Sequence, residues 1–383
     1  MSEAPLSHHP ATAWVNLDRI RDNFKALRSH AGARSIIPVL KANGYGHGAI
    51  EVARTLDPLG VSMFAVAYVD EGVALRQAGI TTPILVLTGF APEQVEALFK
   101  FRLTPAISTR EQVGALQALP YDENRAPLAV HVKVDTGMSR LGFRIQEIEP
   151  AIHRLEDAEG IRIEGLMTHL ASADEDEIFT TRQLDLFDEA IMRLETLGVR
   201  PALIHAANSA GMAFTRQTHT AVRPGLLLYG VAPRPLSPVV AVKPAMELRA
   251  RVALVKKVSA GTPVSYGGRF VATRDTLIAT INAGYADGIP RTETMRTKGA
   301  LKHGQNALPV VGTVCMDLTM LDATDASSLT AGDEVTVFGD APTAWDLAEW
   351  AGTNAWQILT GVGSRVPRRY TMHGEVVEPI SKG

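Results

Sequence analysis

The sequence predicts an α/β protein, an N-terminal (β/α)8 barrel of the TIM type followed by a mainly β C-terminal domain. Three observations carry this expectation. Eight short apolar runs alternate with longer amphipathic segments from the N-terminus to about Gly225. Several of those runs end in a lysine, a histidine or an arginine. From Met246 onward the pattern changes to short Val- and Thr-rich runs broken by Gly, Pro and Asp.

The eight candidate strands are 36–40, 63–68, 83–87, 104–107, 129–134, 163–168, 202–205 and 220–223. They are short and mostly continuously apolar, as parallel strands covered on both faces require. Segments 17–28, 93–101 and 180–197 carry apolar residues at helical period. Eight βα-like units over this length fit a closed barrel, which typically takes about 250 residues. An open, doubly wound sheet is the alternative, because periodicity does not report closure. Its dinucleotide-binding form would place a GxGxxG fingerprint after the first strand, and the sequence has VLKANGYGHG there. The barrel is assigned to residues 11–240, after an N-terminal extension 1–10, with the boundary in the proline-dotted stretch 232–244. The second domain takes 245–383, with one convincing helix around 343–350.

Composition narrows the function classes. A chain of 383 residues is long for a single core, so two domains are the default. Hydrophobic residues at 46% and charged residues at 21% describe an ordinary globular protein. The net charge of −3 gives no reason to expect nucleic acid or an anionic membrane as partner. One cysteine, Cys315, excludes an internal disulfide and is too few for a Cys-based metal site. The first residues lack a basic segment followed by an apolar core, and no run approaches the ~20 apolar residues of a membrane span. The expectation is a soluble, cytoplasmic protein.

Functional groups of such a barrel gather where its strands end. Lys41 closes the first run, within VLKANGYGHG, where Gly44, Gly46 and Gly48 permit a tight turn and Tyr45 and His47 add polar groups. A lysine capping a strand before a surface loop is by itself ordinary. Its company is less so: other runs end in His169, His205 and Arg223, and Asp70 follows the second. Together they point to a convergent site. In VHVKVDTGMSRLGF, residues 130–143, His131, Lys133 and Asp135 alternate with three valines. An exposed edge strand would explain that pattern. Inside a barrel, Lys133 needs a partner or a modification. Arg140 follows in a turn that can aim its guanidinium at an anion. Residues 208–211 (NSAG) and 223–226 (RPGL) offer free backbone N–H groups, and Ser209 a hydroxyl, which suits a phosphate. His169 and His205 lack acidic companions at metal-ligand spacing, so no metal is expected.

These motifs, with VSYG at 264–267, GYADG at 284–288 and CMD at 315–317, keep the order and spacing seen in alanine racemases from about residue 13 to 370. The sequence resembles that family. The resemblance implies a pyridoxal 5'-phosphate enzyme that interconverts L- and D-alanine by two-base proton transfer at Cα. It also implies a cytoplasmic homodimer with active sites shared between subunits, in D-alanine supply for peptidoglycan or in D-alanine breakdown. Lys41 matches the lysine that holds the cofactor and acts as one base. Tyr266 matches the other base, delivered from the partner subunit. Tyr45, Asn208, Ser209, Gly225 and Leu226 match groups around the phosphate, and Arg223 the arginine facing the pyridine nitrogen. His169 matches a histidine near the ring, Arg140 a contact of the phenolic oxygen and of substrate, and His205 and Asp70 more distant members of the hydrogen-bond chain. Lys133 matches a lysine often found as a carbamate. Tyr285, Arg291, Met316 and Asp317 match the substrate region across the interface.

The implied chemistry makes demands on these groups. Lysine and tyrosine start near pKa 10.4 and 10, and cations such as His169 or Arg223 are expected to bring them down. A permanently protonated arginine leaves the pyridine nitrogen without a proton, which disfavours transamination. Two positions depart from the family pattern: Trp356 stands where a gate tyrosine is usual, and Thr313 where many members have arginine. Substrate range is therefore open, and a racemase of broader or different specificity, for serine for example, is the alternative. A non-catalytic cofactor-binding barrel would be a single domain. A related decarboxylase would need a cysteine near the end of the chain, whereas Cys315 lies in the CMD motif.

Overall fold

The computed structural model describes residues 9–377 apart from 119, 121, 215, 217 and 236–239. Most of the N-terminal extension, part of the boundary stretch 232–244 and residues 378–383 lie outside the described residues. Strand β1 (Ala11–Asn16) buries Ala11, Ala13 and Val15 and turns the residues between them partly outward. Asn16 caps the helix Leu17–Ala31, accepting from the Arg19 N–H. The barrel strands follow as β2 (Ser35–Ile36), β3 (Phe64–Val66), β4 (Ile84–Val86), β5 (Leu103–Ile107), β6 (Leu128–Lys133), β7 (Ile161–Met167), β8 (Leu203–His205) and β9 (Ala221–Val222).

Strands β3 to β8 form one parallel sheet in sequence order, and β2 pairs in parallel with β9, first with last. Backbone bonds close both seams. Leu40 N donates to Ala65 O at 2.7 Å and Ala65 N to Pro38 O at 2.9 Å, while Thr220 N donates to Ile204 O and Arg223 N to Ala207 O, both at 2.9 Å. Eight parallel segments thus make a closed barrel rather than a doubly wound sheet. Every residue of β3, β4 and β5 is buried, because sheet neighbours, interior and outer helices leave no free face.

Strand β10 (Met246–Val258), 13 residues long, organises the second half. Its first part pairs antiparallel with β1 and with Glu334–Phe338, and its second part with Thr276–Ile281. A register shift between Val252 and Leu254 lets one strand serve both sets of neighbours. Strand β1, expected in the barrel domain 11–240, lies instead between β10 and Arg368–Met372. Its period-two alternation fits that position, with one covered face, and not the doubly covered barrel wall. The expected helix is present as Ala344–Ala351, capped by Thr343 and Asp346. Glu293–Lys298 and Ala355–Thr360 are also helical; at six residues each, they are too short to register a 3.6-residue period. Among the described residues no helix is long and apolar enough to cross a membrane.

The halves are joined at the turn that follows Lys41. Arg368 donates to the carbonyls of Val362, Gly363 and Val366 and, at 3.0 Å, to that of Gly46. Gly48 has φ +95°, and a Cβ there would overlap the Tyr370 hydroxyl. We therefore expect Gly48→Ala to cost at least about 1–3 kcal/mol from the backbone alone. Adding Tyr370→Phe should recover the steric part and leave the backbone part. Urea unfolding of the single and double variants measures both.

Candidate active site

Lys41 sits at the C-terminal end of the first barrel strand and opens a left-handed turn. Ala42, Asn43, Gly44 and Tyr45 have φ of 52°, 54°, 63° and 51°. Such angles are unfavourable for Ala and Tyr, so the turn needs external ties. Gly44 N donates to Leu40 O at 2.7 Å, Ala49 N to Asn43 Oδ1 at 3.0 Å and Ala42 N to Glu71 Oε1 at 2.7 Å. The other Glu71 oxygen accepts from Ala67 N at 2.7 Å and Tyr68 N at 3.2 Å. One carboxylate thereby ties together the ends of the first two barrel strands. The sequence reading singles out Asp70, but that side chain is exposed and outside the network. On the helix Val69–Gln77, the third position reaches back over the N-terminus and the second does not. That capping-box position is the signal that would have picked out Glu71.

Arg223 is 2% exposed. Its NH1 donates to His205 O at 2.7 Å and lies 2.5 Å from His205 Nδ1. Its NH2 donates to Thr168 O at 2.6 Å and Ala206 O at 3.0 Å, and lies 3.4 Å from His169 Nδ1. Its Nε has no partner among the described residues. Burial pulls its pKa down to about 9, so the guanidinium stays charged at neutral pH. Lys133, 5% exposed, is pulled down to about 8 by burial and then by Arg223, Arg140 and Lys41. Lys41 is also lowered, by burial first and then by Arg140, while Glu71 opposes the shift. His169 is held well below its ordinary value by burial and the same cations. It is neutral, which corrects the expectation that His169 acts as a cation; Arg140 and Arg223 take that role toward Lys41.

Opposite these groups, Ser209 Oγ accepts from Gly225 N at 3.0 Å and Leu227 N at 3.3 Å. A Cβ on Gly225 would meet the hydroxyl of buried Tyr45, so only glycine lets the tyrosine lie along this loop. Asn208 shapes the same loop, accepting from Gly211 N at 2.8 Å and donating to Leu170 O at 3.3 Å. Lys41, Tyr45, Lys133, Arg140, His169, Asn208, Ser209, Arg223, Gly225 and Leu226 all line one cavity of about 390 Å³. It lies at the C-terminal ends of the barrel strands. Asp174 is the only carboxylate among its described lining residues. A surplus of cations beside a hydroxyl and backbone N–H groups fits a phosphorylated, anionic ligand. Gln183 was not visible as a site residue. Fully buried, it donates to His169 O at 3.2 Å and accepts from Ala171 N at 2.9 Å, holding the end of β7.

Tyr266, Tyr285, Met316 and Asp317 do not line the cavity of their own chain. They gather on an exposed face of the second half. Tyr285 N donates to Cys315 O at 3.0 Å, Ala286 N to Met316 O at 3.1 Å and Thr313 Oγ1 to Tyr266 O at 3.1 Å. Tyr266 is 69% exposed and Met316 53%. Asp317 pairs with Arg365 at 2.7 Å, and the same arginine holds buried Asp287 of the GYADG turn. Arg291 stacks over Tyr285. Of the two departures from the family pattern, Trp356 lines the cavity, edge-on to Trp345 at 5.9 Å, and Thr313 does not.

The family models for the N-terminal and C-terminal domains of alanine racemase match residues 15–233 and 245–370. The chain belongs to the alanine racemase family. Within it, alanine racemase of Carboxydothermus hydrogenoformans is 39% identical over 373 residues, 94% of this chain and 99% of that one. The Halothermothrix orenii protein is 40% identical over 369 residues, 94% and 97% of the two chains. Alanine racemase of Clostridium difficile superposes with a TM-score of 0.91 at 33% identity, covering 96% of this chain and 97% of its own. That of Bacillus anthracis, solved with bound L-Ala-P, gives 0.89 at 32% identity and covers 98% of both.

Lys133 offers a test of the electrostatics. Between about pH 8 and its ordinary 10.5, the unfolded chain binds more protons at this residue than the folded chain. Stability from this residue therefore rises with pH across that window, and the buried charge is fully destabilising below it. In buffers free of carbon dioxide, Lys133→Met should be more stable than the parent at pH 7. The advantage should shrink from pH 8 to 10.5 in urea unfolding curves.

Proposed function

We propose that this member of the alanine racemase family interconverts L- and D-alanine with pyridoxal 5'-phosphate held in the cavity. Lys41 of one subunit and Tyr266 of the partner subunit serve as opposed bases. The observation that carries the reading is the separation of the two candidate bases: Lys41 lines the cavity, whereas Tyr266 lies exposed on the other half of the same chain. A second copy that covers this face would bring the missing base, with Tyr285, Met316 and Asp317 at the substrate.

The lining residues fit the cofactor. Tyr45, Ser209 and the backbone of Gly225 and Leu226 would hold its phosphate, and Arg223 would meet its ring nitrogen with a fixed positive charge. Bound there, the cofactor supplies the electron sink that acidifies the substrate Cα–H. Racemisation then needs a proton removed from one face and returned to the other. Burial and Arg140 depress Lys41, so more of its amine is free to accept that proton near neutral pH. Tyr266 donates on the opposite face. Arg140 would hold the phenolic oxygen and the substrate carboxylate. Among the described residues Lys133 makes no ion pair, although it is buried among three cations. Addition of carbon dioxide to its neutral amine, with loss of one proton, would give a carbamate anion that pairs with Arg140 and removes the repulsion. The near absence of cysteine fits a reducing, cytoplasmic compartment.

The first experiment follows L-alanine with protein and cofactor in D2O. Deuterium at Cα together with D-alanine is expected, and the absence of both would overturn the reading. Lys41→Ala and Tyr266→Phe should each lower turnover by about 100-fold or more. Exchanging subunits between those two inactive variants should restore about a quarter of parental activity, because about half the dimers are mixed and each has one intact site. No recovery would refute the shared site.

Substrate breadth should be controlled by Trp356, the only departure that reaches the cavity. Trp356→Tyr is expected to change kcat/KM for serine and larger amino acids more than for alanine. Equal changes across the series would remove Trp356 from specificity.

A further inference from the structure

A line of polar side chains leaves the candidate site through the barrel interior. Arg223 NH1 is 2.5 Å from His205 Nδ1, and His205 Nε2 is 2.8 Å from His131 Nδ1. His131 Nε2 is 3.7 Å from Glu164 Oε2 and has no hydrogen bond of its own among the described residues. Both imidazoles are completely buried, whereas the Glu164 side chain is 21% exposed. Glu164 borders a groove shared with Pro83, Leu103 and Leu128, residues where barrel strands begin. The line therefore runs from the catalytic end of the barrel toward the opposite one.

The backbone is built around this line. In the β6–β7 ladder, Val130 pairs with Ile163 and His131 with Gly165, so Glu164 is the extra residue of a bulge. A bulge of this kind re-aims the side chain it carries. A Cβ on Gly165 would stand about 2.5 Å from His131 Nδ1, so the glycine makes room for the imidazole.

The two ends fix the direction of every proton. A guanidinium NH1 can only donate, so His205 Nδ1 accepts and its proton sits on Nε2. That proton goes to His131 Nδ1, which leaves the His131 proton on Nε2, facing a carboxylate that can only accept. Burial holds both imidazoles below their ordinary pKa, hence neutral. Arg223 otherwise contacts carbonyls and imidazoles, and its charged neighbours Lys41, Lys133 and Arg140 are cations.

We propose that Glu164, acting through His131 and His205, is a positioning residue for Arg223: it locks both imidazoles in the tautomers that let His205 accept from the guanidinium. The consequence for racemisation rests on the reading of Arg223 as the partner of the cofactor's ring nitrogen; the tautomer lock does not. Without the carboxylate, His131 can carry its proton on Nδ1, where it opposes His205 Nε2–H. Relief by moving the His205 proton sets an Nδ1–H against Arg223 NH1.

The test uses full-length protein with nitrogen-15 histidine, with and without pyridoxal phosphate. In the parent, the two coupled histidines should show protonated Nε2 and bare Nδ1. Glu164→Leu and Glu164→Gln should convert both to tautomer mixtures. In the loaded protein, kcat for alanine should fall about tenfold, the scale on which partners that orient a ligand-holding imidazole act, with KM little changed. Unchanged tautomers in the variants would overturn the proposal. So would a parent whose His205 already carries its proton on Nδ1, a result that needs no variant to fold. A parent with ordered tautomers but no racemase activity would refute the functional reading and leave the lock standing.

Discussion

Four positive side chains, Lys41, Lys133, Arg140 and Arg223, converge on one cavity that, among the described residues, a single carboxylate, Asp174, helps to line. Much of the site's chemistry follows from that imbalance. Repulsion and burial depress both lysines, and the same field keeps His169 neutral. Charges gathered in this way are unfavourable until a ligand balances them. The proposed phosphorylated cofactor and a substrate carboxylate would supply the sign that the site lacks. The carboxylates that do matter, Glu71 and Glu164, stand back from the cavity. The first ties backbone N–H groups, and the second stands at the end of a line of imidazoles.

Holding Lys41 in place draws on both halves of the chain. Its turn adopts positive φ at five successive residues, Ala42 to Gly46, a conformation that persists only where surrounding structure over-determines it. Glu71 ties the turn from the barrel side. Arg368 and Tyr370 press on it from the second half. Because β1 belongs to the second sheet, the chain crosses between halves before the barrel begins as well as after it ends. The lysine is thus positioned by a junction and not by the barrel alone.

The parts of the fold legible in the sequence were those with a strong local signature. Doubly buried strands read as continuous apolar runs, and of the polar groups at their ends Lys41, His169 and Arg223 line one cavity, while His205 lies behind it and Asp70 outside it. What escaped was non-local or too short. The alternation in β1 marks a strand but not its partners, which lie more than two hundred residues away. The helices Glu293–Lys298 and Ala355–Thr360 are too brief for periodicity. Asp70 and Glu71 are adjacent acids, and only their positions on a helix N-terminus decide which one reaches back. The alternation of valines and polar residues at 130–135 fits either an exposed edge strand or a barrel strand covered on both faces. Barrel closure covers both faces, and His131 becomes a link in an interior chain.

The exposure of Tyr266 and the surplus charge in the cavity have a common explanation in the proposed dimer. A proton donor that must face Lys41 across a planar substrate cannot come from the barrel wall that already carries the lysine. It must enter from above, on a second structural unit. Within one chain the second half is committed to clamping the back of the Lys41 turn, through Arg368 and Tyr370. Its other face, with Tyr266, Tyr285 and Met316, is left without a covering surface. A second copy satisfies both needs at once. It would cover aromatic and thioether surface that otherwise stays in water, and would close over a cavity whose electrostatics strengthen as water is excluded. The proposed division of bases between subunits would then follow from the clamp: the domain that fixes Lys41 cannot also reach around to supply the opposed group.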